Sequence, residues 1–298
     1  MPWTCPVCAA KISERRRHEV AHAMKQAEVL GLRVVLVTLT VPHALGDDVA
    51  YIADRMSTAF TRLWQGRRGQ ELRLQLGIWG HIRALEVTHG KNGFHPHFHA
   101  LVFFHPEQQR DGRGGACLQV PPGHPFSVWR VLSERWQQAA VRAGLPQPGL
   151  EHGCRVDDGQ RAAQYVAKGV WGLESEVTKG HVKKGRQGGR TPFDLLRDYI
   201  KGDKRSGALW RAYAMAFTGR RQLYWSNGLK KLLSVAEFSD EEIAHKQDDE
   251  KSLLLATITD HQWRFIYRRR METAVLDLAE VSVDALKRFL EWLTGQEH

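Results

Sequence analysis

The sequence predicts an α+β protein, because helical and strand-like segments are both present and the clearest pair of strands is antiparallel. The β-rich runs 80–89 and 94–104 are joined by residues 90–93, Gly-Lys-Asn-Gly, which is typical of a hairpin turn. Residues 47–66 carry apolar side chains at helical spacing. With 298 residues, 42% of them hydrophobic, the chain can bury a sizeable core.

The other elements follow from hydrophobic periodicity and from Gly and Pro punctuation. In chain order we predict a helix over about 11–30, a strand over 33–41 ended by Pro42, a helix over 47–66 capped by Asp47 or Asp48, the hairpin, a loop over 111–125, a helix over 127–143, a strand over 150–156, a helix over about 159–170, and a helical tail after about 236. We expect three regions: a Cys-containing N-terminal segment and helix (1–30), a main domain with a basic extension from about 178 (31–235), and an acidic helical module (236–298).

The charge distribution indicates a polyanionic partner. The chain carries 43 Lys and Arg against 33 Asp and Glu, a net charge of +10. Residues 178–235 hold 14 basic and 3 acidic side chains, whereas residues 236–298 hold 8 basic and 14 acidic ones. Such a basic block is typical of nucleic-acid binding, although a solvated basic surface would have the same composition.

Composition also predicts the cellular setting. No segment approaches the ~20 apolar residues that a membrane span needs, so we expect no membrane partner. The N-terminus has no apolar signal region, and four cysteines in 298 residues do not form a disulfide scaffold. These features predict a cytoplasmic protein.

The hairpin contains the clearest candidate site. His95, His97 and His99 alternate along one strand, so their side chains share a face. A four-residue turn over 90–93 places Glu86 opposite His97, whereas a two-residue turn at 92–93 would pair it with His99. Both turns keep Glu86 on the histidine face, and an odd-length loop would not.

One carboxylate and two imidazoles form a divalent metal site with open positions, suited to Mg²⁺ or Mn²⁺ bound to a phosphate oxygen. A zinc hydrolase and half-buried structural histidines are the alternatives. Tyr165, flanked by small alanines, shares a helical face with Lys168, so a phenol oxygen and an ammonium could address one phosphate. An isolated tyrosine with a lysine three residues on is usually structural, so this pair gains meaning only beside the hairpin.

Three motifs in order carry a family resemblance: Thr-Leu-Thr at 38–40, His-Pro-His-Phe-His-Ala-Leu-Val at 95–102, and Ala-Ala-Gln-Tyr-Val-Ala-Lys at 162–168. They resemble the signature of HUH endonucleases, and more narrowly that of single-tyrosine replication initiator (Rep) proteins of bacterial rolling-circle plasmids. The start CPVCAAKI and the later stretches TPFDLL and WSNGL add to this likeness, which covers roughly residues 3–235.

The resemblance implies both a fold and a reaction. The fold is a central antiparallel sheet of about five strands with flanking helices, with the metal histidines on a middle strand. His97, His99 and Glu86 would hold one Mg²⁺ or Mn²⁺. Tyr165 would attack a single-stranded DNA phosphate and form a 5′-phosphotyrosine, with Lys168 positioning that phosphate. Arg161 stands where some relatives have an acid thought to act in termination.

The implied function is metal-dependent nicking and rejoining that initiates rolling-circle plasmid replication on single-stranded or cruciform origin DNA. No P-loop motif is present, so we expect a host helicase as partner. The alternatives are an HUH transposase acting on transposon ends, and a non-catalytic origin or nucleic-acid-binding protein. The candidate DNA-contacting residues are His95, Lys183, Lys184, Arg186 and Arg190.

Cys5 and Cys8 have the spacing of half a zinc ribbon. Cys117, Cys154, His18 or His22 would have to supply the missing ligands. Zinc therefore stays an unassigned second candidate metal.

Overall fold

The computed structural model describes residues 2–105, 125–157, 189–245, 255–269 and 271–295. The chain forms two compact units, Met1–His245 and Lys246–His298. Within the described residues, no helix combines the length and the apolar character that crossing a membrane requires.

A five-stranded antiparallel sheet forms the centre of the first unit, as the α+β prediction requires. Its strands are β1 (Arg33–Leu39), β2 (Ile78–Gly90), β3 (Gly93–Phe104), β4 (Cys154–Asp157) and β5 (Leu223–Trp225). Their order across the sheet is β4-β1-β3-β2-β5, so β3 is the middle strand.

Helices cover the sheet in the first unit. They are α1 (Pro6–Val29), α2 (Val49–Trp64), α3 (Gly66–Leu76), α4 (Pro125–Arg142), α5 (Pro192–Ile200), α6 (Lys204–Phe217), α7 (Leu229–Leu232) and α8 (Asp240–His245). The predicted cap of α2 is confirmed, because the Asp48 side chain accepts from the backbone N–H groups of Ala50 and Tyr51.

The hairpin adopts the register that a turn over residues 90–93 predicts. Gly90 pairs with Gly93, and Glu86 pairs directly with His97. Gly93 has a φ of +87°, a backbone conformation that residues other than glycine rarely adopt. The turn chemistry therefore determines which residue of β3 faces Glu86.

The two faces of the sheet are buried in different ways. One face, which includes Leu85, Val87 and Phe98, packs against α2, α4 and α6. The other face, which includes Ile82, Leu101 and Phe103, packs against α1 and the segment after β5. The candidate metal ligands continue this second face, toward the turn end of the hairpin.

Some boundaries differ from the predictions. Helix α1 begins at Pro6, a residue suited to the first helical turn, rather than near residue 11. Helix α3 was not predicted, and only Leu72 and Leu76 provide large buried side chains in it. Strand β4 begins at Cys154 rather than at residue 150. The helix predicted over about 159–170 lies outside the described residues, as does almost all of the predicted loop.

The described part of the second unit is mainly helical, which confirms the helical prediction for the chain's end. Its helices are α9 (Asp260–Arg269), α10 (Glu272–Val281) and α11 (Val283–Thr294). Ile266, Leu286, Leu290 and Leu293 are buried together in a separate core. Helix α8, although it follows residue 236, belongs to the first unit.

Candidate metal centre

Three potential metal ligands lie on paired strands at the centre of the sheet. Glu86 on β2 pairs with His97 on β3, and His99 lies two residues farther along β3. Because side chains alternate along a strand, all three project from one face. Sequence periodicity and hairpin register together therefore bring these residues to one place.

The three side chains meet at one carboxylate oxygen. Nε2 of His97 lies 3.3 Å from Oε2 of Glu86, and Nε2 of His99 lies 3.7 Å from the same oxygen. The three candidate ligand atoms lie within 4.8 Å of one another. Among the residues that the structure describes, no other group of three or more His, Cys, Asp or Glu side chains has metal-ligand spacing.

The second ring nitrogen of each histidine is held by an oxygen. Nδ1 of His97 lies 3.2 Å from the backbone oxygen of His95, and a carbonyl can only accept. Nδ1 of His99 lies 2.9 Å from Oγ1 of Thr38 on the neighbouring strand β1. With the proton on Nδ1, each ring directs its Nε2 lone pair at the cluster, which is the usual arrangement around metal-bound histidine.

This donor set fits a divalent metal ion. Glu86 is 9% exposed, so its carboxylate is largely withdrawn from water and needs compensation. Two neutral imidazoles and one carboxylate leave open positions on an ion, where a phosphate oxygen or a water could bind. The arrangement can therefore polarise a phosphate group.

His95 lies beside this cluster. Its ring stacks on His43 at a centroid distance of 4.6 Å and lies 5.1 Å from the His97 ring. Burial, assisted by His97 and His43, lowers the pKa of His95 to about 4. The ring is therefore neutral at pH 7, and its DNA-binding role stays a prediction.

Several predicted functional residues lie outside the described part of the chain. They are Tyr165, Lys168, Lys183, Lys184 and Arg186. The structure does describe Asp157, the last residue of β4 before that segment. Its carboxylate forms a salt bridge of 2.8 Å with Arg155, which pairs with Thr38 across β1.

Arg190 already has acidic partners. Its Nη1 lies 3.2 Å from Oδ2 of Asp198 and 3.8 Å from Oδ2 of Asp203, and donates to Oγ of Ser206. Its backbone forms a two-hydrogen-bond bridge with His89. The DNA-binding role of Arg190 stays a prediction.

The cysteine pair lies at the start of α1. Hydrogen bonding from Cys8 lowers the pKa of Cys5, which favours its thiolate form. Neither cysteine joins a group of three potential ligands within the described residues. Cys154 is buried in the core beside α4, and burial raises its pKa to about 12. A zinc site at Cys5 and Cys8 stays a prediction.

Sequence reasoning missed the role of Thr38. It belongs to the Thr-Leu-Thr motif, but nothing in the motif shows that its hydroxyl meets His99 across the sheet. That contact depends on the pairing of β1 with β3, in which Thr38 lies opposite His99. Only the register of two strands separated by about 60 residues could have revealed it.

The α+β fold carries a carboxylate and two imidazoles on two adjacent strands of its antiparallel sheet. This combination places the chain among candidate metal-binding proteins. Residues 3–112, which include all three ligands, match the family model described as "Replication protein". A "Protein rep" of Streptomyces lividans is 29% identical over 340 aligned residues, covering 93% of this chain and 74% of that protein. These matches support the prediction that this chain is a Rep initiator protein, the class that the three motifs resemble.

A second relative, a "Protein rep" of Lentilactobacillus hilgardii, is 26% identical over 110 residues, or 36% of this chain and 33% of that protein. No solved structure matches the chain. The comparisons thus support a plasmid replication initiator, in agreement with the basic charge of the chain.

Proposed function

We propose that the protein is a metal-dependent endonuclease that nicks and rejoins single-stranded DNA to initiate rolling-circle plasmid replication. The observation that carries this proposal is the convergence of Glu86, His97 and His99, with both Nε2 atoms directed at one carboxylate oxygen. The proposed DNA is a single-stranded or cruciform plasmid origin, and a host helicase would unwind the duplex.

In this mechanism Glu86, His97 and His99 would hold Mg²⁺ or Mn²⁺, which supplies Lewis-acid polarisation of the scissile phosphate. The phenol oxygen of Tyr165 attacks phosphorus and loses its proton. The bond from phosphorus to the 3′ oxygen breaks, and that oxygen takes up a proton and leaves as a 3′-hydroxyl. The 5′ phosphate stays on Tyr165, and Lys168 orients it throughout.

The covalent intermediate makes rejoining feasible. A phenol ionises near pH 10, so phenolate is a better leaving group than an alkoxide. A DNA 3′-hydroxyl can therefore attack the phosphotyrosine, restore the phosphodiester and release Tyr165.

Chain length allows Tyr165 to reach the metal centre. Strand β4 lies two strands from β3, which is about 10 Å at the usual strand spacing. Tyr165 follows Asp157, the last residue of β4, by eight residues, and eight residues span at most about 28 Å. The tether is thus long enough for the phenol to meet a phosphate bound at the ligands.

The test is a covalent adduct. The protein is mixed with circular single-stranded plasmid DNA carrying the cognate origin and Mn²⁺, and adducts that survive SDS and heat are measured with and without EDTA. We expect a metal-dependent adduct that Tyr165→Phe abolishes. Tyr199→Phe is the matched control, because Tyr199 is half exposed on α5 and should leave adduct formation unchanged.

The outcomes separate the alternatives. Salt-sensitive DNA binding without any adduct on a cognate origin would refute the nicking mechanism and favour a non-catalytic binder. An adduct whose DNA end maps to a transposon terminus rather than a plasmid origin would favour a transposase. An adduct that persists in Tyr165→Phe would assign the nucleophile elsewhere.

A further inference from the structure

A polar cavity lies on the sheet face opposite the metal centre. It has a volume of about 410 Å³, within the range of small-molecule sites. Arg83 and His81 on β2 both line it. Each lies an odd number of residues from Glu86, so the alternation of β2 directs them to the other face.

Arg83 is a buried cation with no acidic partner among the described residues. It is 9% exposed, and its guanidinium lies 4.8 Å from the centre of the Phe98 ring and 5.8 Å from that of Tyr224. Nη2 donates to the backbone oxygen of Arg221 at 3.3 Å, but Nε has no hydrogen-bond partner in the described structure. A buried cation in this state is costly unless something compensates its charge.

His81 adds a second unsatisfied group. Its ring stacks on Trp64 at 4.7 Å, and its Nε2 is buried with no hydrogen-bond partner among the described residues. Burial, together with the charges of Arg83 and Arg73, lowers the pKa of His81 to about 3. The ring is therefore neutral at pH 7 and adds no charge of its own to the cavity.

The rest of the cavity is also suited to an anion. Arg73 lines it from the exposed face of α3, and none of the described lining residues is Asp or Glu. Gln65, Gln70 and Asn227 add amide groups. Trp79, stacked on His105 and 36% exposed, provides an aromatic surface at the rim.

We propose that this cavity binds the phosphate group of a nucleotide, with Arg83 and Arg73 contacting the phosphate and Trp79 stacking on the base. A guanidinium matches phosphate oxygens in a bidentate geometry, and base stacking on an aromatic ring tolerates different bases. The nucleotide is either free or part of a DNA strand. The cavity shares no residue with the metal centre, because the two lie on opposite faces of the sheet.

Binding of 2′-deoxyadenosine 5′-monophosphate is measured by equilibrium dialysis in EDTA, so that nothing depends on metal or cleavage. We expect one nucleotide per chain, at least tenfold weaker binding in Arg83→Met, and severalfold weaker binding in Arg73→Gln. Arg68→Gln is the matched control: it removes the same charge from an exposed position of α3 that does not line this cavity, and it should bind normally.

Competition with a short single-stranded oligonucleotide identifies the source of the phosphate. Displacement of the nucleotide by the oligonucleotide supports a DNA strand as the occupant, and failure to displace it supports a free nucleotide. The proposal would be overturned if deoxyadenosine or inorganic phosphate bound as tightly as the nucleotide. It would also be overturned if Arg73→Gln and a folded Arg83→Met both bound the nucleotide normally. Absence of binding at about 1 mM nucleotide would overturn it as well.

Discussion

The hydroxyl of Thr38 is expected to control metal affinity without touching the metal. Thr38→Val keeps the β-branched shape that suits strand β1 but removes the oxygen that lies 2.9 Å from Nδ1 of His99. The imidazole then loses the hydrogen-bond partner that holds its ring with Nε2 toward Glu86.

The size of the effect follows from two known magnitudes. Loss of a partner that orients a metal-bound histidine costs roughly 10–100-fold in metal affinity, or about 1.4–2.8 kcal/mol. The same hydrogen bond contributes only about 0.5–1.5 kcal/mol to the free energy of unfolding. We therefore expect a folded protein whose Mn²⁺ dissociation constant rises at least tenfold, and whose adduct formation recovers at higher Mn²⁺.

The assay is calorimetric titration of Mn²⁺ into wild type, Thr38→Val and Thr40→Val. Thr40 is the matched control, because its hydroxyl donates to the backbone oxygen of His152 at 2.9 Å and does not contact a candidate ligand. If Thr38→Val and Thr40→Val bind Mn²⁺ equally well, the orienting role of Thr38 is refuted.

Three further predictions concern stability. Gly93→Ala should lower the free energy of unfolding by about 1–2 kcal/mol, because φ is +87° and the new Cβ would lie 3.1 Å from the Ala44 oxygen. Gly90→Ala, where a Cβ meets nothing within 4 Å, should change little in the same urea titration. Asp48→Ala should cost about 1 kcal/mol through the lost cap of α2, visible as a lower urea midpoint. His81 has a pKa of about 3 in the folded protein against an ordinary 6.5. The contribution of its neutral ring to the free energy of unfolding is therefore fully present above pH 6.5 and declines as the pH falls toward 3. His81→Phe should therefore make the loss of stability between pH 7 and 5 shallower, and an unchanged slope would contradict the assignment.

The sequence was most informative where one residue's position follows from its neighbours. Alternation along 94–104 and an even-length turn were enough to place Glu86 on the histidine face, opposite either His97 or His99, because both are local properties of a hairpin. The structure then selects His97 as the partner of Glu86. The amphipathic helix α2 and its cap at Asp48 were predicted for the same reason.

Features that depend on distant pairing could not be predicted. The contact of Thr38 with His99 and the bridge between His89 and Arg190 both join segments separated by at least 60 residues. The cavity around Arg83 needs α2, α3, β2 and β5 together. No local pattern shows that this strand arginine is buried with no acidic partner in the described part of the chain.

The central claim is that Glu86, His97 and His99 hold the divalent metal that activates the DNA phosphate. The most direct measurement is anomalous diffraction at the manganese edge from crystals of the protein grown with Mn²⁺. The account predicts one strong anomalous peak bonded to Oε2 of Glu86 and to Nε2 of both histidines, absent from crystals of Glu86→Gln. A peak elsewhere on the protein, or no peak at saturating Mn²⁺, would contradict it.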